Sequence, residues 1–193
     1  SVSAFLLNRS SDLTLYPLDE LAAVNLQKDV FDVGYSSYEE MIRIRLTDQQ
    51  ERWSRWAYDI LDLDGDGQEE MIWREDDRYF IYTMVENRVC YYRMISDGTV
   101  TVCEDGILKA VIHYGPENFT TRFYRVNRGR IELVDYLRYD VDAAPENPWF
   151  RSPDLTGQDF TLEPISEMEA KSIIASYDSL DIDMKPIADY PFE

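Results

Sequence analysis

Of the side chains most used in nucleophilic and transition-metal chemistry, this sequence has little: one histidine, His113, and two cysteines, Cys90 and Cys103. A lone histidine builds no catalytic site by itself, and no Gly-x-Ser-x-Gly elbow accompanies it, so a hydrolase triad has little support. The cysteines are not spaced Cys-x-x-Cys, which removes thioredoxin chemistry and zinc ribbons. No apolar run reaches the ~18 residues of a membrane-spanning helix. Basic residues are scarce too: 19 Lys and Arg stand against 38 Asp and Glu, a formal net charge of −19. That charge repels phosphate backbones and anionic lipid surfaces, and it disfavours nucleic acid and membrane surfaces as partners. There is no Gly-rich phosphate loop and no basic patch, and no internal repeat that would build a complete propeller.

What is present is a core. The 193 residues are 45% hydrophobic and 13% aromatic, enough for one acidic, globular domain spanning 1–193. The chain starts at Ser1 without an initiator Met or a signal-like apolar stretch, as expected after removal of a targeting segment or after any other trimming.

Residues 1–56 read as mainly helical. Pro17 suits a first helical turn, and Leu18, Leu21, Ala22 and Asn25 follow at helical spacing. Ser36 with Glu39, or Ser37 with Glu40, forms a capping box, and Thr47 with Gln50 suggests a third box opening a short helix with Trp53 and Trp56. From 57 to 140 the pattern becomes short runs of Tyr, Val, Ile, Phe and Thr separated by Glu86-Asn87, Asp97-Gly98, Asp105-Gly106 and Arg128-Gly129. Strands are expected near 57–62, 70–75, 78–85, 88–95, 99–103, 107–114, 120–127 and 130–140. Connections this short exclude crossover helices, so neighbouring strands are antiparallel. Residues 141–193 read as a Pro-rich loop, a helix opened by Ser166 and Glu169 with Met168, Ile173, Ile174 and Tyr177 facing the sheet, and an extended tail. The expected fold is α+β: N-terminal helices, one curved antiparallel meander of seven or eight strands, and a C-terminal helix packed on it.

One motif carries chemistry. Asp62, Asp64 and Asp66 occupy positions 1, 3 and 5 of an Asp-x-Asp-x-Asp-Gly loop, Gly67 permits the turn, Gln68 offers its backbone carbonyl at position 7, and Glu70 stands at position 9. Hard oxygen ligands at this spacing suit Ca²⁺ better than the stricter, water-retaining Mg²⁺. With Glu69, five carboxylates fall within nine residues. Each like-charged pair at ~4 Å costs up to ~4 kcal/mol at an effective dielectric of ~20, a repulsion that a cation removes. The alternative is an acidic turn without an ion.

Position 12, where an EF-hand has its bidentate Glu, is Trp73, and the flanks Tyr58–Leu61 and Met71–Trp73 read as strands. The segment resembles the strand–loop–strand calcium sites of FG-GAP and VCBS-type repeats, Asp-x-Asp-x-Asp-Gly-x-x-Asp/Glu followed by aliphatic residues. More broadly it is similar to bacterial secreted proteins and lipoproteins that carry a single such segment. The resemblance implies a structural calcium ion in a secreted or lipid-anchored protein.

The remaining signals have bland readings beside their functional ones. Cys90 and Cys103 flank Asp97-Gly98, and either close a cross-strand disulfide in an oxidising compartment or stay two buried thiols; a tight turn there leaves them two places out of register, which favours the thiols. His113 reads as an ordinary strand histidine. Trp149, Tyr91 and Tyr92 are candidates for a sugar-stacking platform, although tyrosine is simply a good strand residue. Asn8-Arg9-Ser10 and Asn118-Phe119-Thr120 match the glycosylation sequon. No catalytic residue is nominated. The expected function is a non-enzymatic extracytoplasmic binding module stabilised by calcium, with carbohydrate or protein as partner; the alternative is a secreted carbohydrate-active hydrolase with a structural calcium site.

Overall fold

A computed structural model describes residues 31–48, 55–95, 98–127, 130–153, 155, 161–180 and 182–192. The helix expected after Pro17 and the sequon at Asn8 lie outside these residues. In chain order the elements are β1 (Phe31–Asp32), α1 (Tyr38–Asp48), β2 (Trp56–Leu61), β3 (Glu70–Glu75), β4 (Arg78–Val85), β5 (Arg88–Ile95), β6 (Gly98–Cys103), β7 (Ile107–His113), β8 (Phe119–Asn127), β9 (Arg130–Tyr139), β10 (Trp149–Arg151), β11 (Glu163–Pro164), α2 (Glu167–Ala175) and β12 (Lys185–Pro186). The eight strands β2 to β9 fall where the turn signals put them, within a residue at either end.

Those strands form two antiparallel sheets rather than one meander. The first has the order β1-β5-β4-β3-β2-β12 and the second β11-β10-β9-β8-β7-β6. The chain leaves one sheet after β5 and enters the other at β6, so β5 and β6 do not pair as the expected hairpin. Gly98 pairs with Ile112, and a Cβ on it would lie 2.0 Å from the Val111 carbonyl oxygen. No side chain fits there.

The alternation along each strand explains the layering. On β3, Met71 and Trp73 enter one cluster and Ile72 another. The Ile72 side joins Ile81 and Ile95 of the first sheet to Val100, Val102, Leu108 and Tyr124 of the second, so the sheets pack face to face. The outer face of the first sheet, Met71, Trp73, Phe80 and Tyr82, is covered by Met41, Ile42 and Leu46 of α1 and by Ile187 of the tail. The outer face of the second, Ile107, Phe123 and Leu137, is covered by Ala170, Ile173 and Ile174 of α2 and by Tyr177 just beyond its end. Helix, sheet, sheet and helix stack as four layers. The fold is mostly β, with a helix on each outer face.

Two capping boxes hold. The Ser37 hydroxyl accepts from the Glu40 amide at 3.1 Å while the Glu40 carboxylate reaches back to the Ser36 amide at 2.6 Å, and the Ser166 hydroxyl accepts from the Glu169 amide at 3.2 Å. Of the expected Thr47 box and its helix, Gln50 and Trp53 lie outside the described residues. Thr47 lies inside α1 with its hydroxyl donated to the Arg43 carbonyl, and Trp56 opens β2, buried against Trp73. Met168 is 80% exposed and points away from the sheet, its place taken by Ala170. Residues 141–164 are not loop throughout, since β10 pairs with β9 and β11 with β10.

Trp149 is buried on β10 between Phe119 and Tyr139, at 5.7 and 4.9 Å. Tyr91 and Tyr92 are half-buried against the outer and central clusters. None of the three is an exposed platform. Cys90 and Cys103 are both buried, not joined in a disulfide, and on strands of different sheets, so the shared hairpin expected for them does not exist. Asn118 is buried, its amide donating to Asp142 and its carbonyl accepting from the Val141 amide, so this sequon side chain is committed to the fold.

One turn locks the two sheets together. Gly106 has φ +69°, and a Cβ there would lie 2.9 Å from the carbonyl oxygens of Leu63 and Val126. Gly106→Ala is therefore expected to destabilise by about 2 kcal/mol, from left-handed strain and a backbone clash together. Urea denaturation measures it, and a loss below a few tenths would mean that the turn does not press on the 62–69 loop.

Candidate metal centre

Strand β2 pairs with β3 down to Leu61 opposite Glu70, and residues 62–69 form the connection. The element entering the loop is thus a strand, as the flank Tyr58–Leu61 suggests. Gly65 and Gly67 have φ of +72° and +89° with open space around each, so backbone conformation rather than crowding asks for glycine. The turn is built from its own acids. Asp62 accepts from the amides of Asp66 (3.1 Å) and Gly67 (3.0 Å), Asp64 also accepts from the Asp66 amide (3.1 Å), and Asp66 from that of Gln68 (2.8 Å).

This folding brings three of the expected ligands to one point. One carboxylate oxygen each from Asp62, Asp64 and Glu70 lies within 4.8 Å of the others. Asp66 stands outside that trio, its carboxylate capping Gln68. The Gln68 side-chain amide donates to the Thr83 hydroxyl at 3.2 Å and to the Met84 carbonyl, which anchors the loop's exit on β4. Trp73, at position 12, is fully buried under α1 and supplies no oxygen; its indole N–H donates to Glu75 at 2.9 Å.

Glu70 is the unusual member. It is 2% exposed, accepting from the Leu63 amide at 3.0 Å and from the Thr83 hydroxyl at 2.9 Å. No Lys or Arg among the described residues pairs with it. Burial lifts its pKa to about 7, and repulsion from Asp64 and Asp66 adds to the rise, against the pull of the two hydrogen bonds. Asp62 is exposed and Asp64 half-buried, so the trio runs from solvent to core. An uncompensated buried carboxylate facing two more is an arrangement that a hard divalent cation relieves, with oxygen donors of the type Ca²⁺ takes.

Thr83, Tyr38, Leu63 and Gly106 belong to this neighbourhood, and none was nominated from the sequence. Thr83 was within reach: the register that pairs Glu75 with Arg78 and Met71 with Tyr82 puts Thr83 next, opposite Glu70. Leu63 lies within the loop itself, and only Tyr38 and Gly106 come from remote segments. Elsewhere, His113 is exposed at the end of β7, 5.7 Å from the Phe119 ring. Comparison with protein-family models, with curated proteins and with solved structures finds no match for this chain.

Proposed function

We propose that this chain is a non-enzymatic extracytoplasmic binding module, secreted or lipid-anchored at the cell surface, whose fold is clipped by Ca²⁺ at the 62–70 loop. The observation that carries the reading is Glu70, buried without a cationic partner beside Asp62 and Asp64. The strand–loop–strand form also supports the likeness to single FG-GAP and VCBS-type calcium loops. Calcium here is a structural clip, since the acids that would hold it also hold the turn's amides. External calcium is commonly millimolar, where a loop without a bidentate position 12 stays filled, and this favours the extracytoplasmic setting. The partner would be protein or carbohydrate. The burial of Trp149 takes the sugar-stacking platform from the carbohydrate-binding form of this reading and from the hydrolase alternative alike.

The test is a thermal melt in chelator and in excess calcium, with magnesium as control. A dissociation constant on the order of 10⁻⁴ M gives about 1.4 kcal/mol at ~1 mM Ca²⁺ by linkage, because the unfolded chain does not hold the ligands together. For a domain of this size the midpoint rises by roughly 3–6 °C. Asp64→Ala is expected to abolish most of that rise. A wild-type midpoint that does not move, or moves equally with both ions, means that the loop is only an acidic turn.

A further inference from the structure

The loop's exit is held from two sides, and one of them is a helix far away in sequence. Tyr38, the first residue of α1, packs its ring on the outer-face cluster of the first sheet. Its hydroxyl donates to the Glu69 carbonyl at 2.8 Å and lies 3.4 Å from the Tyr82 carbonyl. Glu69 sits between Gln68, whose carbonyl would face the cation, and Glu70, the buried acid. The hydroxyl therefore holds the stretch that joins two ligand-bearing residues. From the other side, Thr83 grips both Gln68 and Glu70.

We propose that Tyr38 is a positioning residue of the cation loop, and that seating of α1 on the first sheet and filling of the loop are coupled through its hydroxyl. This rests on the calcium reading of the loop. The Ser37 and Glu40 caps set the helix start one residue before Tyr38, so the ring is carried by an ordered turn. Burial, and then the Glu70 and Glu69 charges, push the phenol's pKa up, which keeps its proton in place as a donor. When the cation leaves, repulsion among Asp62, Asp64 and Glu70 strains the stretch that Tyr38 grips, and α1 loses a tie to the sheet. Coupling of this kind is reciprocal: whatever factor docking adds to calcium affinity, calcium adds to docking.

The experiment is calcium chloride titration by calorimetry on the full chain, with amide hydrogen exchange of α1 in chelator and in saturating calcium. One net hydrogen bond corresponds to about a 2- to 12-fold change in an equilibrium constant. Tyr38→Phe is expected to raise the dissociation constant by about that factor, while Tyr114→Phe, which deletes a hydroxyl bonded to Tyr139 and Arg138 beyond β7, leaves it unchanged. In the wild type, calcium is expected to slow α1 exchange by a similar factor, and in Tyr38→Phe it is not. A merely structural tyrosine would lower the melting points of empty and filled protein equally and leave the dissociation constant alone, which overturns the proposal. If Tyr38→Phe does not fold, wild-type exchange decides by itself: calcium binding with α1 protection unchanged overturns the coupling only. No calcium binding at millimolar concentration overturns the loop reading and the coupling together.

Discussion

Trp73→Ala is expected to lower stability by about 3–5 kcal/mol, the largest effect of any substitution discussed for this chain. Trp73 is fully buried at the centre of the outer-face cluster, 5.4 Å from Trp56 ring to ring. The Arg45 guanidinium lies over it at 5.4 Å and also donates to Glu75 at 2.9 Å, the same carboxylate oxygen that takes the indole N–H. Truncation removes the ring's contacts, opens a cavity under α1, and deprives a buried guanidinium of an aromatic face. Total stabilities are about 5–15 kcal/mol, so the variant keeps little of its margin. Urea unfolding measures the change as a fall in midpoint at constant slope. Met168→Ala, at an exposed site on α2, is the control and is expected to stay within about 0.5 kcal/mol. A loss below about 1 kcal/mol at Trp73 would mean that α1 does not cover this face.

Lowering the pH is expected to stabilise the calcium-free protein. Glu70 titrates near 7 in the fold against a reference of 4.5, so between those values the folded chain keeps a proton that the unfolded chain releases. Its contribution is fully present below about 4.5 and is lost as pH rises through 7. The shift corresponds to about 3 kcal/mol. Asp140 acts oppositely, and at lower pH. The Ala143 amide and the Arg138 guanidinium hold its carboxyl below the ordinary value, so its contribution is lost as pH falls through that depressed pKa. The Glu70→Gln variant isolates the wanted part. Its carbonyl can take the Leu63 amide, and its NH₂ can donate to the second lone pair of the Thr83 hydroxyl, whose own hydrogen then turns away, so the charge goes while the Leu63 contact stays. In chelator at pH 8 it is expected to be more stable than wild type by about 3 kcal/mol, with the difference vanishing near pH 4.5. Parallel pH profiles for the two proteins would show that Glu70 is not buried as an acid. With saturating calcium the wild type's gain in stability on acidification is expected to disappear, because proton and cation compete for one carboxylate.

The elements most legible in the sequence are those whose causes lie within a few residues. The Ser37 and Ser166 caps, the Glu86-Asn87 turn with both residues at positive φ, and the strand spans from β2 to β9 all follow from local side chains and backbone preferences. The loop was legible for the same reason, since Asp62, Asp64 and Asp66 satisfy amides at most five residues away. The errors have one origin. Asp97-Gly98 and Asp105-Gly106 are the same turn signal, yet only the second closes a hairpin, β6 with β7. Nothing near residue 97 says that the next strand joins another layer.

By itself, then, the sequence determined where β2 to β9 and the two described helices start, that neighbouring strands run antiparallel, and which residues build the turn after β2. These are set by interactions of short reach, and each can be read from a window of a few residues. The tertiary structure alone decided that there are two sheets, that Trp149 is core and Met168 surface, that Cys90 and Cys103 sit in different sheets, and that Glu70 is a buried acid gripped by Thr83. The physical reason is the two-sided apolar character of strands such as Met71-Ile72-Trp73: alternation separates the two faces but does not say what covers each. Covering is settled by segments remote in sequence, α1 and the tail on one side and the second sheet on the other, competing to remove the most apolar surface from water.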